Sequence, residues 1–354
     1  KKKPLHIPVR LGLVGGNGQD LPLVLADGRE VADSVIHVTK RSETFRFANV
    51  TSRPVPSLLR GFSAPVNLTV DLTDRDLEFL LANDWDLFNR WQAANGYATR
   101  VLVQSVAALR DGKRTQRGLT YARALGASIA DRRIDPAYRA ELMKLPTEAD
   151  IAREIARDVD PGLIHRARQR LLRLVGTTLG DTLEAIYREA GGKTAFSPDA
   201  ASAGRRALRN AALSLLSARG TPADAARLRA HYFDARNMTD AAHALVLLAA
   251  RKGPDTEAAL AHFHDRWKAD HLVIDTWFSA QAVSPLPSTL DQVRTLSAHP
   301  LFQITTPNKA RALIGNFAAM NPVQFNRPDG EGYDFVADKV LEIDHFNPQV
   351  AARM

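Results

Sequence analysis

The sequence has no cysteine among its 354 residues, and only four methionines and four tryptophans. Without cysteine it has no disulfide bonds, no thiol catalysis and no cysteine-ligated zinc, which agrees with a reducing compartment. No run of about 18 apolar residues is present, so we expect no membrane-spanning helix. Residues 1–3 are lysines followed by Pro4 and not by an apolar secretory segment. We therefore predict a cytoplasmic protein without a membrane partner.

The charge balance is basic, since 47 lysines and arginines against 39 acidic residues give a formal net charge of +8. Clustered basic residues attract the phosphates of nucleic acids, but here they are interleaved with acidic residues. The densest run places Arg166, Arg170 and Arg173 on one helix face, opposite Leu171 and Val175. Few aromatic residues lie nearby to stack on bases. We interpret the run as a solvated helix face and expect no nucleic-acid partner.

The first 72 residues have the pattern of a small β-sandwich module. Residues 6–14 are rich in strand-forming residues with apolar alternation, and the glycine-rich residues 15–18 predict a hairpin turn. Pro8 and Pro54 indicate sheet edges or bulges, because proline cannot donate a hydrogen bond to a neighbouring strand. Three further strands are predicted, over residues 35–38, 44–48 and 66–70. We predict that this module covers residues 1–72.

From residue 73 onward the sequence repeats the start signals of helices. Thr73 with Asp76 resembles a capping box, and apolar stripes at helical spacing follow the caps. Short polar turns join helices of short to medium length, and the sequence shows no strict repeat period. This pattern predicts an irregular α-helical superhelix over residues 73–354, an ARM/HEAT-like array of helical hairpins. The predicted fold class is therefore mainly α, preceded by the small β-sandwich. Six capping residues are followed by proline: Asp135-Pro136, Asp160-Pro161, Ser197-Pro198, Thr221-Pro222, Thr306-Pro307 and Asn321-Pro322.

The sequence contains no motif for bond chemistry. Its ten histidines include no HExxH, and His262 and His264 are two residues apart, so they point away from each other on a helix. His264 and His271 share a face with Trp267 between them, and we interpret them as surface or packing histidines because a shared ligand geometry is missing. No serine lies in a G-x-S-x-G elbow. We interpret Asp84 and Asp86 as a local turn or cap pair. Because none of these patterns supplies a reactive set of side chains, we predict no catalytic residue and no metal site.

Six segments of the chain, in order and spanning nearly all of it, resemble the C-terminal part of the bacterial aminopeptidase N family, which are zinc metallopeptidases of the M1 type. The resemblance is to the proteobacterial subfamily. The segments are residues 6–15 (HIPVRLGLVG), 52–68 (SRPVPSLLRGFSAPVNL), 86–94 (DLFNRWQAA), 235–245 (ARNMTDAAHAL), 265–282 (DRWKADHLVIDTWFSAQA) and 306–354, which begins TPNKARALIGNF.

The resemblance implies a region without the catalytic centre. Enzymes of this family have an N-terminal β domain, a thermolysin-like zinc domain, a small β-sandwich and a C-terminal helical superhelix, and the segments match the last two. The family's HExxH helix and G-x-M-E-N strand do not occur in this sequence, so no catalytic or metal residue is transferred to it. We expect no cofactor in this chain, zinc in the missing catalytic domain of the parent aminopeptidase, and a superhelix truncated at its end.

The resemblance also implies a role for the chain. In this family the helical domain closes over the active site, so we expect the chain to cap that cavity and gate peptide access for N-terminal residue removal. Arg311 and Arg353 are expected to line the cavity wall and meet the peptide carboxylate, with a surface or intra-domain ion pair as the alternative for each. The expected partners are the missing catalytic domain and the peptide, with self-association through an exposed seam. The alternative function is a free-standing helical-repeat scaffold that binds a protein partner.

Overall fold

A computed structural model describes residues 4–113, 118–192 and 195–354. Its β module is a three-stranded antiparallel sheet in the order β2-β1-β3. The central strand β1 pairs with β2 through residues 7–10 and with β3 through residues 11–14, so each half has a partner on one side only. The strands are β1 (Ile7–Val14), β2 (Val35–Val38) and β3 (Val55–Leu58).

Two local predictions in the sheet agree with this pairing. Pro8 lies in the half of β1 that pairs only with β2, which leaves its other side free of strand hydrogen bonds, as an edge position requires. The glycine-rich residues 15–18 form the predicted hairpin turn, where the Gly18 N–H donates to the Gly15 carbonyl at 2.8 Å. Gly18 has a φ of +79°, a backbone conformation that favours glycine.

Two of the predicted strands are wrong. Residues 44–48 form only an isolated bridge between Phe47 and Leu25, and residues 66–70 have no regular structure. Val66 and Leu68 are exposed, so no layer covers the alternating face that suggested a strand there. The third strand is β3, which was not predicted. Its one proline, Pro56, lies at the sheet edge, where a missing N–H costs little.

The rest of the described chain is helical. A π-helical stretch, Arg311–Gly315, joins the fourteenth and fifteenth helices. Along the described ranges the helices are α1 (Asp74–Asn83), α2 (Leu87–Arg110), α3 (Gly118–Ala130), α4 (Pro136–Leu142), α5 (Glu148–Ile155), α6 (Pro161–Thr178), α7 (Gly180–Glu189), α8 (Ala200–Ser217), α9 (Pro222–Phe233), α10 (Met238–Ala249), α11 (Pro254–Trp267), α12 (Ile274–Ala282), α13 (Thr289–Ser297), α14 (Pro307–Ala310), α15 (Asn316–Met320), α16 (Pro322–Phe325), α17 (Glu331–Asp344) and α18 (Pro348–Ala351).

The predicted caps explain where five of these helices begin. The capping box at Thr73 forms, because its hydroxyl accepts from the Asp76 N–H and the Asp76 carboxylate accepts from the Thr73 N–H. At Ser197 the prediction is wrong: α8 begins three residues later, since the carboxylate of Asp199 accepts from the Ser202 N–H at 2.9 Å. Thr306 precedes α14 without a side-chain cap bond. The remaining predicted caps accept backbone N–H groups: Asp135, Asp160, Thr221 and Asn321.

The apolar core has two parts that meet along α8. The first part runs from Val14 and Val55 of the sheet through the first eight helices to Leu216, and the second begins at Leu213 and continues to Ala351. The β module is therefore packed onto the first helices, and the apolar core continues across the predicted boundary at residue 72. The division into residues 1–72 and 73–354 stays a prediction. Within the described ranges, no helix is both long and apolar enough to cross a membrane.

Candidate functional site

A cavity of about 640 Å³ opens between α7, α8 and the connection from α9 to α10. This volume lies within the range of small-molecule sites, about 300–1,000 Å³. The charged part of its wall is dominated by guanidinium groups, so we call it the arginine cavity. Six arginines and three carboxylates line it: Arg188, Arg205, Arg206, Arg209, Arg227 and Arg236, with Glu184, Asp234 and Asp240.

Aromatic rings hold two of these arginines in place. The guanidinium of Arg209 lies 4.8 Å from the ring centroid of Tyr187 and donates to the Tyr187 hydroxyl at 3.3 Å. The guanidinium of Arg206 lies 4.8 Å from the ring centroid of Phe196 and donates to the Ser197 carbonyl at 2.8 Å. Arg206 and Arg209 are three positions apart on α8, so they project from the same face of the helix into the cavity wall.

Two of the three carboxylates are already engaged by protein groups. Oε1 of Glu184 lies 2.8 Å from Nη2 of Arg219 and 3.3 Å from Nη2 of Arg227. Asp240 accepts hydrogen bonds from the side-chain amides of Asn210, at 3.1 Å, and Asn237, at 2.9 Å, and its Oδ2 lies 3.8 Å from Nη1 of Arg209. The acidic groups are therefore partly satisfied, and the cavity keeps an excess of positive charge.

A buried polar pair lies beneath the cavity. The Tyr187 hydroxyl is 2.9 Å from Nδ1 of His231, a side chain only 3 % exposed. Burial, with a smaller contribution from the charge of Arg209, lowers the pKa of His231 to about 4, and burial raises the pKa of Tyr187. Both groups are therefore neutral near pH 7, so they position Arg209 and have no charge of their own to offer a ligand.

A second polar cluster joins the β module to the helices. Arg60, which follows β3 and is 2 % exposed, donates to Asp20 at 3.0 Å, to Asp84 at 3.0 Å and to Ser57 at 2.8 Å. Its guanidinium also lies 4.8 Å from the Trp85 ring. The interpretation of Asp84 with Asp86 as a local turn or cap pair is confirmed, since Oδ1 of Asp84 accepts from the Asp86 N–H at 3.1 Å and Asp86 caps α2 by accepting from the Asn89 N–H at 2.9 Å. The sequence did not indicate that the Asp84 side chain is also fully buried in the ion pair with Arg60.

An apolar surface lies over this cluster, formed by Phe62, Trp85, Leu87, Phe88 and Trp91, and we call it the junction surface. Phe62, Trp85 and Leu87 are 66 %, 63 % and 41 % exposed. The ring centroids of Phe62 and Phe88 are 4.0 Å apart, and those of Phe88 and Trp91 are 5.8 Å apart. Clustered exposed apolar residues of this kind mark interaction surfaces.

The two arginines predicted from the sequence lie elsewhere. Arg311 is exposed at the start of the π-helical stretch, and Arg353 is exposed just beyond α18. Neither of them lines the arginine cavity. Their expected place on the wall of a larger cavity remains a prediction.

The histidines considered as metal ligands are held apart. His262 is hydrogen-bonded to the Tyr232 hydroxyl at 3.1 Å, and Nδ1 of His264 is 3.6 Å from Asp265. Over the described ranges, no group of three histidine, cysteine, aspartate or glutamate side chains could hold a metal ion.

The arginine cavity was not predicted from the sequence. Arg205, Arg206 and Arg209 are close together in the sequence, but Arg188 lies in α7 and Arg236 in the α9–α10 connection, so only the packed helices bring them together. In the sequence, the run at Arg166, Arg170 and Arg173 was the more conspicuous group of arginines. These three side chains are exposed on α6 while Leu171 and Val175 are buried, which confirms the predicted solvated face.

Residues 74–354 match a family described as a domain of unknown function, DUF3458_C, with ARM repeats, and residues 1–71 match DUF3458, with an Ig-like fold. The protein named aminopeptidase N of Caulobacter vibrioides is 42 % identical over 333 residues, covering 94 % of this chain and 38 % of that protein. Aminopeptidase N of Escherichia coli is 36 % identical over 354 residues, covering 100 % of this chain and 40 % of that protein. The crystal structure of Legionella pneumophila aminopeptidase A in complex with aspartic acid superposes with a TM-score of 0.83 at 29 % identity, covering 98 % of this chain and 40 % of that one.

These matches confirm the predicted fold class, a mainly helical ARM-repeat array preceded by a small Ig-like sheet module. They also confirm the resemblance that the six sequence segments indicate. The chain spans only 38–40 % of the length of these curated relatives. The chain therefore belongs to the DUF3458 family, with its Ig-like and ARM-repeat parts, and corresponds to the C-terminal portion of bacterial aminopeptidase N.

Proposed function

We propose that this chain is the non-catalytic region of an M1 zinc aminopeptidase, where it caps the active-site cavity and gates the access of peptides to N-terminal residue removal. One observation carries the proposal: nearly the whole chain matches proteins named aminopeptidase N but covers only 38–40 % of their length. The proposal places zinc in the catalytic region of the parent protein, outside this chain. A cytoplasmic location goes with this proposal as a prediction.

A cap of this kind acts by exclusion. A packed helical array around a reaction chamber keeps out bulk water and admits only substrates that fit the entrance, without taking part in bond cleavage. In this proposal Arg311 and Arg353 face the chamber and pair with the C-terminal carboxylate of the peptide. Their exposure in the isolated chain supports this role, because an arginine can bind a carboxylate in a bidentate arrangement.

The proposed partner of the junction surface is the catalytic region of the same protein. Phe62, Trp85 and Leu87 expose large apolar side chains. The Arg60 cluster fixes the backbone beneath them, since Arg60 and Asp84 are both buried. A rigid apolar surface of this kind loses little conformational entropy on docking. The same surface is the proposed site of self-association when the chain is separated from its catalytic region.

The carboxylate role can be tested in a hybrid enzyme in which this chain replaces the matching region of the Caulobacter relative. In the double variant Arg311→Gln with Arg353→Gln, kcat/KM for a short peptide with a free C-terminus is expected to fall by about tenfold or more. The same peptide with an amidated C-terminus should be unaffected. Arg123→Gln, at an exposed position on α3, is the control. An equal loss for both peptides would contradict the role.

Docking can be tested by titrating the separate catalytic region of that relative with this chain and measuring complex formation by sedimentation. The double variant Phe62→Ser with Leu87→Ser is expected to weaken the complex at least about tenfold, because exposed apolar area is removed from the interface. Leu272→Ser, at a residue 72 % exposed beyond α11, is the matched control. If the wild-type chain does not bind the catalytic region, the free-standing scaffold becomes the better description.

A further inference from the structure

We propose that the arginine cavity is a binding site for a small multivalent anion, one that carries two or more phosphate or carboxylate groups. The proposal does not depend on the role of the chain as a peptidase cap. It rests on the charge of the cavity wall, on guanidinium donors that lack partners, and on the fixed positions of two of the arginines.

The first argument is the charge of the wall. Six guanidinium groups face three carboxylates around one cavity. Glu184 pairs with Arg227, and Asp240 lies 3.8 Å from Nη1 of Arg209. Among the described residues this leaves four of the six cavity arginines without an ion pair: Arg188, Arg205, Arg206 and Arg236. Like charges held this close repel one another, and the repulsion grows where protein walls reduce the local dielectric. A multivalent anion would remove this repulsion, whereas a monovalent ion would offset only part of it.

The second argument is the supply of unused donors. The Nε atoms of Arg206 and Arg209 are buried without a hydrogen-bond partner among the described residues. The side chains of Arg188 and Arg236 have no ion pair or hydrogen bond with any described group and are exposed at the rim of the cavity. Guanidinium groups donate two parallel hydrogen bonds to phosphate or carboxylate oxygens. The cavity therefore combines fixed inner donors with accessible outer ones.

The third argument is preorganisation. Arg209 is held by Tyr187, whose hydroxyl is in turn hydrogen-bonded to the buried His231, and Arg206 is stacked on Phe196. Side chains that are already ordered lose less entropy when they bind a ligand. Arg205 donates to Ser202 at 2.7 Å at the same opening. The arrangement suits an anion that spans from the fixed guanidiniums of α8 to the free ones at the rim.

The test is isothermal titration of the full 354-residue chain with pyrophosphate and, separately, with citrate, at a constant ionic strength set by sodium chloride. These two probes distinguish a phosphate ligand from a carboxylate ligand. The variant Arg188→Gln with Arg236→Gln removes the two rim arginines, which make no internal ion pair that the fold needs. Arg123→Gln removes one exposed arginine outside the cavity and serves as the control.

We expect saturable binding of at least one probe, weakened about tenfold or more in the double rim variant and unchanged in Arg123→Gln. Binding of pyrophosphate alone would assign the site to phosphate groups, and binding of citrate alone would assign it to carboxylates. The proposal is overturned if neither anion binds at millimolar concentration. It is equally overturned if the double rim variant and the control lose affinity to the same extent, because the binding is then general attraction to a basic surface.

Discussion

The buried Arg60 cluster gives the strongest stability prediction. Arg60 and Asp84 are 2 % and 0 % exposed, so in Arg60→Ala the Asp84 carboxylate loses its cation without gaining water. Breaking a buried ion pair by removing one partner costs about 3–5 kcal/mol, and we expect a loss of this size in the free energy of unfolding. Arg29→Ala breaks the ion pair with Asp27 on the surface of the same module and should produce no measurable change.

Gly12 offers an independent check on this reasoning. A Cβ added at Gly12 would lie 2.1 Å from Nη1 of Arg60, so Gly12→Ala must displace the guanidinium from its partners. With Arg60 already shortened to alanine, the same methyl group has room. The two substitutions should therefore be strongly non-additive, with a coupling of about 1–3 kcal/mol.

The assay is urea unfolding followed by circular dichroism and tryptophan fluorescence, with the free energy of unfolding extrapolated to water. All four proteins of the Gly12 and Arg60 cycle are compared under the same conditions. Burial acts to raise the pKa of Asp20, but hydrogen bonds from Arg60 and Trp85 outweigh it and hold this pKa below its ordinary value. Its stabilising contribution is thus present at neutral pH and lost in acid, and Arg60→Ala should reduce that dependence. Additive effects of the two substitutions would refute the account of the cluster.

Two further predictions concern the helical array. The pKa of His231 in the folded chain is lowered from 6.5 to about 4, so the unfolded chain takes up the proton first as the pH falls. The free energy of unfolding should therefore decrease by ~2 kcal/mol between about pH 7 and pH 5, and by less in His231→Gln. Unfolding curves at the two pH values would show no such difference if His231 were solvated. Gly176→Ala should lower the free energy of unfolding by about 1–3 kcal/mol, because the new Cβ would lie 2.2 Å from the Leu215 carbonyl oxygen. Gly96→Ala inside α2 meets no atom within 4 Å and should raise it by about 0.5–1 kcal/mol. Equal melting temperatures for the two variants would contradict the close packing of α6 on α8.

The helical part of the fold could be predicted because its signals are local. A carboxylate or hydroxyl before a proline satisfies the first N–H groups of a helix, and this rule located the starts of α4, α6, α9 and α16. It failed at Ser197, where Asp199 caps α8 instead. Two polar residues so close together compete for the same N–H groups, and the sequence does not show which one the packed helix selects.

The sheet and the candidate site depend on contacts between distant residues, and the sequence indicated them less well. Residues 55–58 were not predicted as a strand, and β3 tolerates Pro56 because its unpaired side lies at the sheet edge. The buried pair of Arg60 and Asp84 joins residues 24 positions apart. The arginine cavity draws Arg188 and Arg236 from separate elements, and no local pattern marks them as neighbours.

We propose that this chain belongs to a zinc aminopeptidase without containing its catalytic centre. The most direct measurement is hydrolysis of an alanyl chromogenic substrate by the purified chain with added zinc, beside the hybrid enzyme that joins the chain to the catalytic region of the Caulobacter relative. We predict no hydrolysis by the chain at any zinc concentration and clear hydrolysis by the hybrid. Activity of the chain alone, proportional to its concentration and to bound zinc, would contradict the account.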